Sequence, residues 1–248
     1  MIRLKSPSDI EHLRVAGSKL GQVLQEIGTM VAPGVTTGEL DRAAERHIRE
    51  LGAVPAFLHY SGYPASLCVS VNEQVIHGIP GRRVLKSGDV VSLDLGLIYE
   101  DWYADSAITV ACGSVTAEDA KLIETTRRSL YAGIDAVHVG ARLGDIGHAV
   151  QQIAEGQGMS VVRDYVGHGV GKELHEDPEV PNYGKDGTGI LLKEGLVIAI
   201  EPMVNAGSSA VRVLDDGWTV VTADGRKSAH FEHTIAVTAL GPVILTQP

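Results

Sequence analysis

The chain has 248 residues, 44% hydrophobic and 21% charged, which is enough apolar material for a sizeable core and argues against disorder or a collagen-like repeat. A formal charge of -10 provides no overall attraction to nucleic acid or anionic lipid. Cys68 and Cys112 cannot build a disulfide framework or a cysteine-rich zinc site, and the start MIRLKSPSDIEHLR has no apolar signal region, so a cytoplasmic location is expected.

Ser6, Pro7 and Asp9 form a helix start with the hydroxyl as N-cap and proline in the first turn. Ile10, Leu13, Leu20, Leu24, Ile27 and Val31 follow at helical spacing, which predicts a long amphipathic helix ending near Pro33-Gly34. Thr36 with Glu39 caps a second helix whose stripe is Leu40, Ala44, Ile48 and Leu51, closed by Gly52. Strands are predicted over 66–71, 90–98 and 107–111. A third capped helix then begins at Thr116 and Asp119 and carries Leu122, Ile123, Leu130 and Ile134.

From here the pattern starts again. GVTTGEL at 34–40 matches GARLGDI at 140–146, an offset of 106 residues, and LKSGDVVSLD at 85–94 matches LKEGLVIAIE at 192–201, an offset of 107. Turn-plus-strand composition alone explains LKxG but not two distant matches at nearly one offset. Two similar halves are therefore expected, roughly 5–113 and 114–245, each with two helices followed by strands, meeting about a pseudo-two-fold axis within a single domain over 1–248.

Asp94 lies inside the apolar run VVSLDLGLI and Glu201 inside LVIAIEPMV. An unpaired carboxylate there costs several kcal/mol or takes up a proton, so something must compensate it. The repeat makes the two residues equivalent. A hairpin centred on Tyr99-Glu100-Asp101 would set Asp105 opposite Asp94, two like charges that repel unless a cation lies between them. EHTIAV from Glu232 resembles DSAITV from Asp105, which makes Glu232 its counterpart and gives two symmetric carboxylate pairs. His168 and His175 in VGHGVGKELHEDP and His77 in HGIP join them, with flanking glycines expected to kink the backbone and aim the imidazoles into a cleft. One histidine alone is more often structural, but the joint set is a metal site. Oxygen-dominated ligation with imidazole suits Mn, Fe or Co.

These blocks, together with YPASLCVSVNE at 63–73, EPMVNAG at 201–207 and FEHT at 231–234, resemble the type I methionine aminopeptidases of the pita-bread family, peptidase family M24, which also holds aminopeptidase P, prolidase and creatinase. The likeness covers nearly the whole chain. It implies an α+β pita-bread fold, a curved antiparallel sheet with flanking helices, and a site of two divalent ions. Asp94 would chelate one ion, His168 and Glu201 would bind the other, and Asp105 and Glu232 would bridge both. Glu201 would also act as base, His175 would donate to the carbonyl oxygen, and His77 would contact the scissile nitrogen. Phe57, Tyr60, Tyr63, Cys68, His77 and Trp218 would form the methionine pocket, whose thioether suits aromatic edges and a soft sulfur.

The resemblance further implies removal of initiator methionine ahead of a small second residue, with N-terminal methionine peptides and nascent chains as partners, ribosome association, no membrane or direct nucleic-acid binding, and a monomer as the simplest state. A monovalent cation near Asn72 and Ser228 also belongs to it. Two positions depart from the family pattern: Leu174 stands where phenylalanine is frequent and Ser61 where histidine is, which alters the expected pocket shape. Two alternatives compete with this expectation. A prolidase or aminopeptidase P usually carries a large preceding domain, for which a first ligand at residue 94 leaves no room. A non-catalytic binding module would have shed ligands, and all five are retained. Only 25 residues separate His175 from Glu201, too few for the inserted segment of the type II enzymes.

Overall fold

The structure, a computed structural model, describes residues 1–248. Helix α1 (Pro7–Thr29) begins with a reciprocal capping box in which Ser6 Oγ accepts from Asp9 N and the Asp9 carboxylate accepts from Ser6 N. It ends at Thr29, four residues short of Pro33, and Gly34 takes φ +96°. Helix α2 (Thr37–Glu50) starts from the same box between Thr36 and Glu39, and Gly52, at φ +72°, follows its C-cap. Helix α3 (Ala117–Asp135) is capped by Thr116 and Asp119, and α4 (Leu143–Glu155) opens where the Asp145 carboxylate accepts from Arg142 N.

The main sheet has nine strands: β1 (Val54–Pro55), β2 (Leu67–Val71), β3 (Val90–Tyr99), β4 (Trp102–Ala111), β5 (Gly167–Gly169), β6 (Glu176–Val180), β7 (Val197–Ile200), β8 (Glu232–Thr238) and β9 (Gly241–Ile244). They run in the order β1-β3-β4-β8-β7-β5-β6, with β2 also pairing β3, β9 pairing β8, and every pairing antiparallel. The central pair is β4 with β8. Two three-stranded sheets, one joining 203–205 to 228–230 and 160–161, the other joining 220–222 to 211–213 and 74–76, complete the β structure. In the second half the apolar run leading to Glu201 and the segment from Glu232 read as strands, whereas runs of two or three residues offer no alternation to read.

Alternation along β3 divides the sheet into two faces. Val91, Leu93, Leu95 and Leu97 turn toward α1 and α2, where they meet Leu13, Leu20, Leu24, Leu40 and Ile48. Each such leucine, fully buried, contributes roughly 1.5–3 kcal/mol through apolar area alone. On the other side of β8, α3 and α4 supply Leu130, Ile134, Ile146 and Val150 against Ile198, Ile200, Ile235 and Val237. The helices thus occupy one face and leave the opposite, concave face to Ser92, Asp94 and Gly96.

The hairpin corrects the expected register. Its loop is the two residues Glu100 and Asp101, at φ +50° and +62°, and Tyr99 pairs with Trp102. Left-handed residues at both loop positions are the twist-matched two-residue turn, so β4 starts at Trp102, five residues ahead of the expected strand. Asp94 consequently faces Ala107, and Asp105 faces Gly96. The two aspartates share a face but lie on a diagonal, two residues out of step, and are not directly opposed.

Candidate active site

Register alone assembles the acidic cluster. Asp94 pairs with Ala107, Ala107 with Glu232, and the ladder that sets His233 against Ile200 brings Glu201 alongside Glu232. One row across four strands therefore reads Asp94, Ala107, Glu232, Glu201, all on the concave face. A second row, two residues away, holds Gly96 opposite Asp105 and Thr234 opposite Ala199, and the pairing of Gly169 with Ile198 sets His168 beside Ala199. Small residues between the acids leave the space open. At Gly96 a Cβ would lie 2.6 Å from the Phe57 ring, so the second row tolerates no side chain there.

Ligand-type atoms converge as three overlapping groups, each within 4.8 Å: Asp94, Asp105 and Glu232; His168, Glu201 and Glu232; and Asp105, His168 and His175. His168 Nε2 lies 3.5 Å from Glu201 Oε1 and 3.8 Å from Asp105 Oδ2. Its Nδ1 is 3.0 Å from the Gly169 carbonyl, which can only accept, so Nδ1 holds the proton and Nε2 presents a lone pair to the cluster.

Electrostatics make this cluster incomplete as protein alone. Burial pushes Asp94 up to about 7 and holds Asp105, Glu201 and Glu232 well above the ordinary carboxylate range, with neighbouring carboxylates adding to the effect at the last three. Burial likewise lowers His168 and His230 to about 3 and His77 to about 4, so these imidazoles are neutral at pH 7 and supply no counter-charge. Asp105 Oδ1 and Glu232 Oε1 are buried without any hydrogen-bond partner. Orphaned carboxylate oxygens beside a free imidazole nitrogen are the donor set that hard or borderline divalent ions take, and the residues present fit such ions.

All twelve side chains singled out in the sequence line one cavity of about 430 Å³. Cys68 is the cross-strand partner of Asp94, which joins the acidic cluster directly to an apolar pocket of Phe57, Tyr63, Cys68 and Leu174, with Ile79 and Trp218 packed against it. Tyr63 Oη donates to the Gly78 carbonyl at 3.1 Å, and its ring meets Trp218 edge to face at 5.1 Å. Tyr60 Oη lies 2.8 Å from His175 Nδ1, and the His175 ring stands 4.3 Å from that of His168.

The glycines act differently from the expected kinks. His77 itself takes φ +57°, whereas Gly78, Gly167 and Gly169 are sites of close approach, where a Cβ would lie 2.3–2.4 Å from the carbonyls of Val69, Ala199 and Asp177. Leu174 lines the cavity, but Ser61, left-handed at φ +48°, does not, so only the first departure from the family pattern reaches the pocket.

Sequence reasoning missed three participants. Tyr165 lines the cavity edge to face with His77 at 5.9 Å. His230 is 1% exposed, with neither ring nitrogen hydrogen-bonded and Nε2 3.7 Å from Glu201 Oε2. Asn182 Nδ2 donates to the Glu201 carbonyl at 3.1 Å. His230 could have been found from its place two residues before Glu232; nothing local marks Asn182.

A concave sheet face carrying paired carboxylates and a histidine beside an apolar pocket defines a metal-dependent hydrolase of the pita-bread fold. The model of metallopeptidase family M24 matches residues 11–239, and the chain belongs to that family. It is 52% identical over 246 residues to a methionine aminopeptidase of Clostridium perfringens, spanning 99% of each chain. The crystal structure of methionine aminopeptidase from Thermotoga maritima superposes with a TM-score of 0.98 at 46% identity, covering 100% of both chains. A prolidase from Pyrococcus furiosus shares the fold at TM-score 0.79 but is only 23% identical, and the chain covers 65% of its length.

Proposed function

We propose that this chain is a methionyl aminopeptidase that removes the initiator methionine from peptides and nascent proteins when the second residue is small. The observation that carries this is the cross-strand pairing of Cys68 with Asp94, which sets a pocket suited to a thioether side chain directly against the acidic cluster. Full-length identity near one half to a methionine aminopeptidase supports the substrate, and the low identity to the prolidase gives the proline-specific alternative nothing beyond the fold.

Asp94, Asp105, His168, Glu201 and Glu232 would hold two divalent ions. Such ions, when bound, supply Lewis-acid activation of water and of the scissile carbonyl, and the oxygen-rich set suits Mn, Fe or Co. Glu201 would take the proton of the attacking water. His175, whose Nδ1 is engaged by Tyr60 Oη at 2.8 Å, would present Nε2–H to the carbonyl oxygen as negative charge develops there. His77, neutral at pH 7, contacts the scissile nitrogen and assists its protonation as it leaves. Phe57, Tyr60, Tyr63, Cys68, His77 and Trp218 exclude water around the methionine side chain, with Leu174 completing the wall. A monovalent cation at the backbone of Asn72 and Ser228, which are hydrogen-bonded at 2.8 Å, belongs to the same reading, as do a cytoplasmic location, a monomeric state, and ribosome contact during synthesis.

Methionine release from Met-Ala-Ser, Met-Lys-Ser, Met-Phe-Ser and a Xaa-Pro peptide tests the assignment. Fast cleavage of the first alone is expected. Equal rates on the bulky second residues, or preference for the proline peptide, would overturn it.

A further inference from the structure

The loop that carries His175 is built around an ion pair between Lys5 and Glu176. Both side chains are only 7% exposed, and Lys5 Nζ lies 2.5 Å from Glu176 Oε2. The other carboxylate oxygen, Oε1, accepts from Lys172 N at 2.8 Å and Glu173 N at 3.4 Å, so one side chain closes the segment Lys172–Glu176 into a ring. Lys5 is fixed in turn: its Nζ donates to the Arg3 carbonyl at 3.2 Å and its backbone N to the Gly195 carbonyl at 2.6 Å. Gly171 is shaped to this pair, since a Cβ there would sit 2.3 Å from Glu176 Oε1 and 2.7 Å from Lys5 Nζ. Within the ring, Leu174 is anchored in the pocket wall at 3% exposure, while His175 is exposed toward the cavity. His175 therefore sits between two fixed neighbours, and the one on its C-terminal side is held by Lys5, from outside the loop.

We propose that the buried Lys5–Glu176 pair is a positioning device for His175, through which the N-terminal segment ahead of α1 sets the place of a catalytic imidazole in the opposite half of the molecule. The proposal rests on the aminopeptidase reading above. A buried charge left without its partner relaxes toward water, and the ring it closes opens with it. A displacement of about 1 Å at a catalytic group costs up to roughly a hundredfold in rate.

The test uses the metal-loaded full chain on Met-Ala-Ser, with variants Lys5→Met, Lys5→Arg and Glu176→Gln, each also made in a His175→Ala background. The expected result is a kcat lower by about tenfold or more for Lys5→Met and Glu176→Gln, with KM within about threefold. Lys5→Arg, which keeps the charge, should recover most of the loss. In the His175→Ala background the same substitutions should cost nothing further, because the group they place is gone. Glu176→Gln preserves an acceptor for both backbone N–H groups and carries the test should Lys5→Met fail to fold. Folded Lys5→Met and Glu176→Gln with wild-type kcat, or losses that persist undiminished in His175→Ala, would overturn the proposal. Inactive wild-type protein would instead overturn the aminopeptidase reading itself.

Discussion

At Glu232, 2% exposed and with one carboxylate oxygen lacking any partner, the cost of burial has no protein-side remedy. The imidazole grouped with it, that of His168, is neutral, and Asp94, Asp105 and Glu201 add only like charge. His175 is different: its Nδ1 is engaged by Tyr60, and it faces the cavity. On the proposed reading the buried groups would hold the ions and His175, exposed at the cavity, would work on substrate. Replacing His175 with alanine should lower kcat by roughly 10² to 10³, the range for loss of one oxyanion donor, with KM nearly unchanged. Steady-state kinetics alongside metal analysis checks this, and a loss explained by reduced metal content would move His175 into the ligand set.

Among the elements, α3 shows how one carboxylate serves two ends. Asp119 accepts from Thr116 N and Oγ1 at the helix start and from Lys227 Nζ at 2.9 Å, 108 residues away in sequence. Partial burial raises its proton affinity, but the bonds from Lys227 and Thr116 outweigh it, and the net shift is below the ordinary 3.8. A carboxyl lowered in the folded state stabilises the fold fully above that value and loses the contribution as pH falls through the folded value. Wild type should therefore be more stable than Asp119→Asn by about 1–2 kcal/mol at pH 7, with the gap closing below about pH 4, as urea unfolding at both pH values would register. Equal stability at pH 7 would remove the cap and the ion pair from the account. Three of the four helix starts were legible because Ser6, Thr36 and Thr116 each carry an acid three residues on, a signal that needs no tertiary context. The site was legible for a related reason: Asp94 and Glu201 violate apolar strands, and only a shared ligand excuses that. What escaped was set by register. The diagonal of Asp94 and Asp105 depends on a two-residue turn that Tyr99-Glu100-Asp101 does not announce.

Over the whole molecule, the two helix-pair-and-strand units meet at the antiparallel pair β4–β8, with Asp105 on one strand and Glu232 on the other. Asp94 and Asp105 precede α3, while His168, Glu201 and Glu232 follow it, so the same ions would tie the two portions of the chain together. No helix is long and apolar enough to cross a membrane. Stripping the protein with a chelator, restoring it stepwise with Mn(II), and following methionine release from Met-Ala-Ser in wild type and Asp105→Ala addresses this dependence directly. The account predicts inert stripped protein, saturable recovery in wild type, and no recovery in Asp105→Ala; undiminished turnover after stripping, or full recovery of the variant, would contradict it.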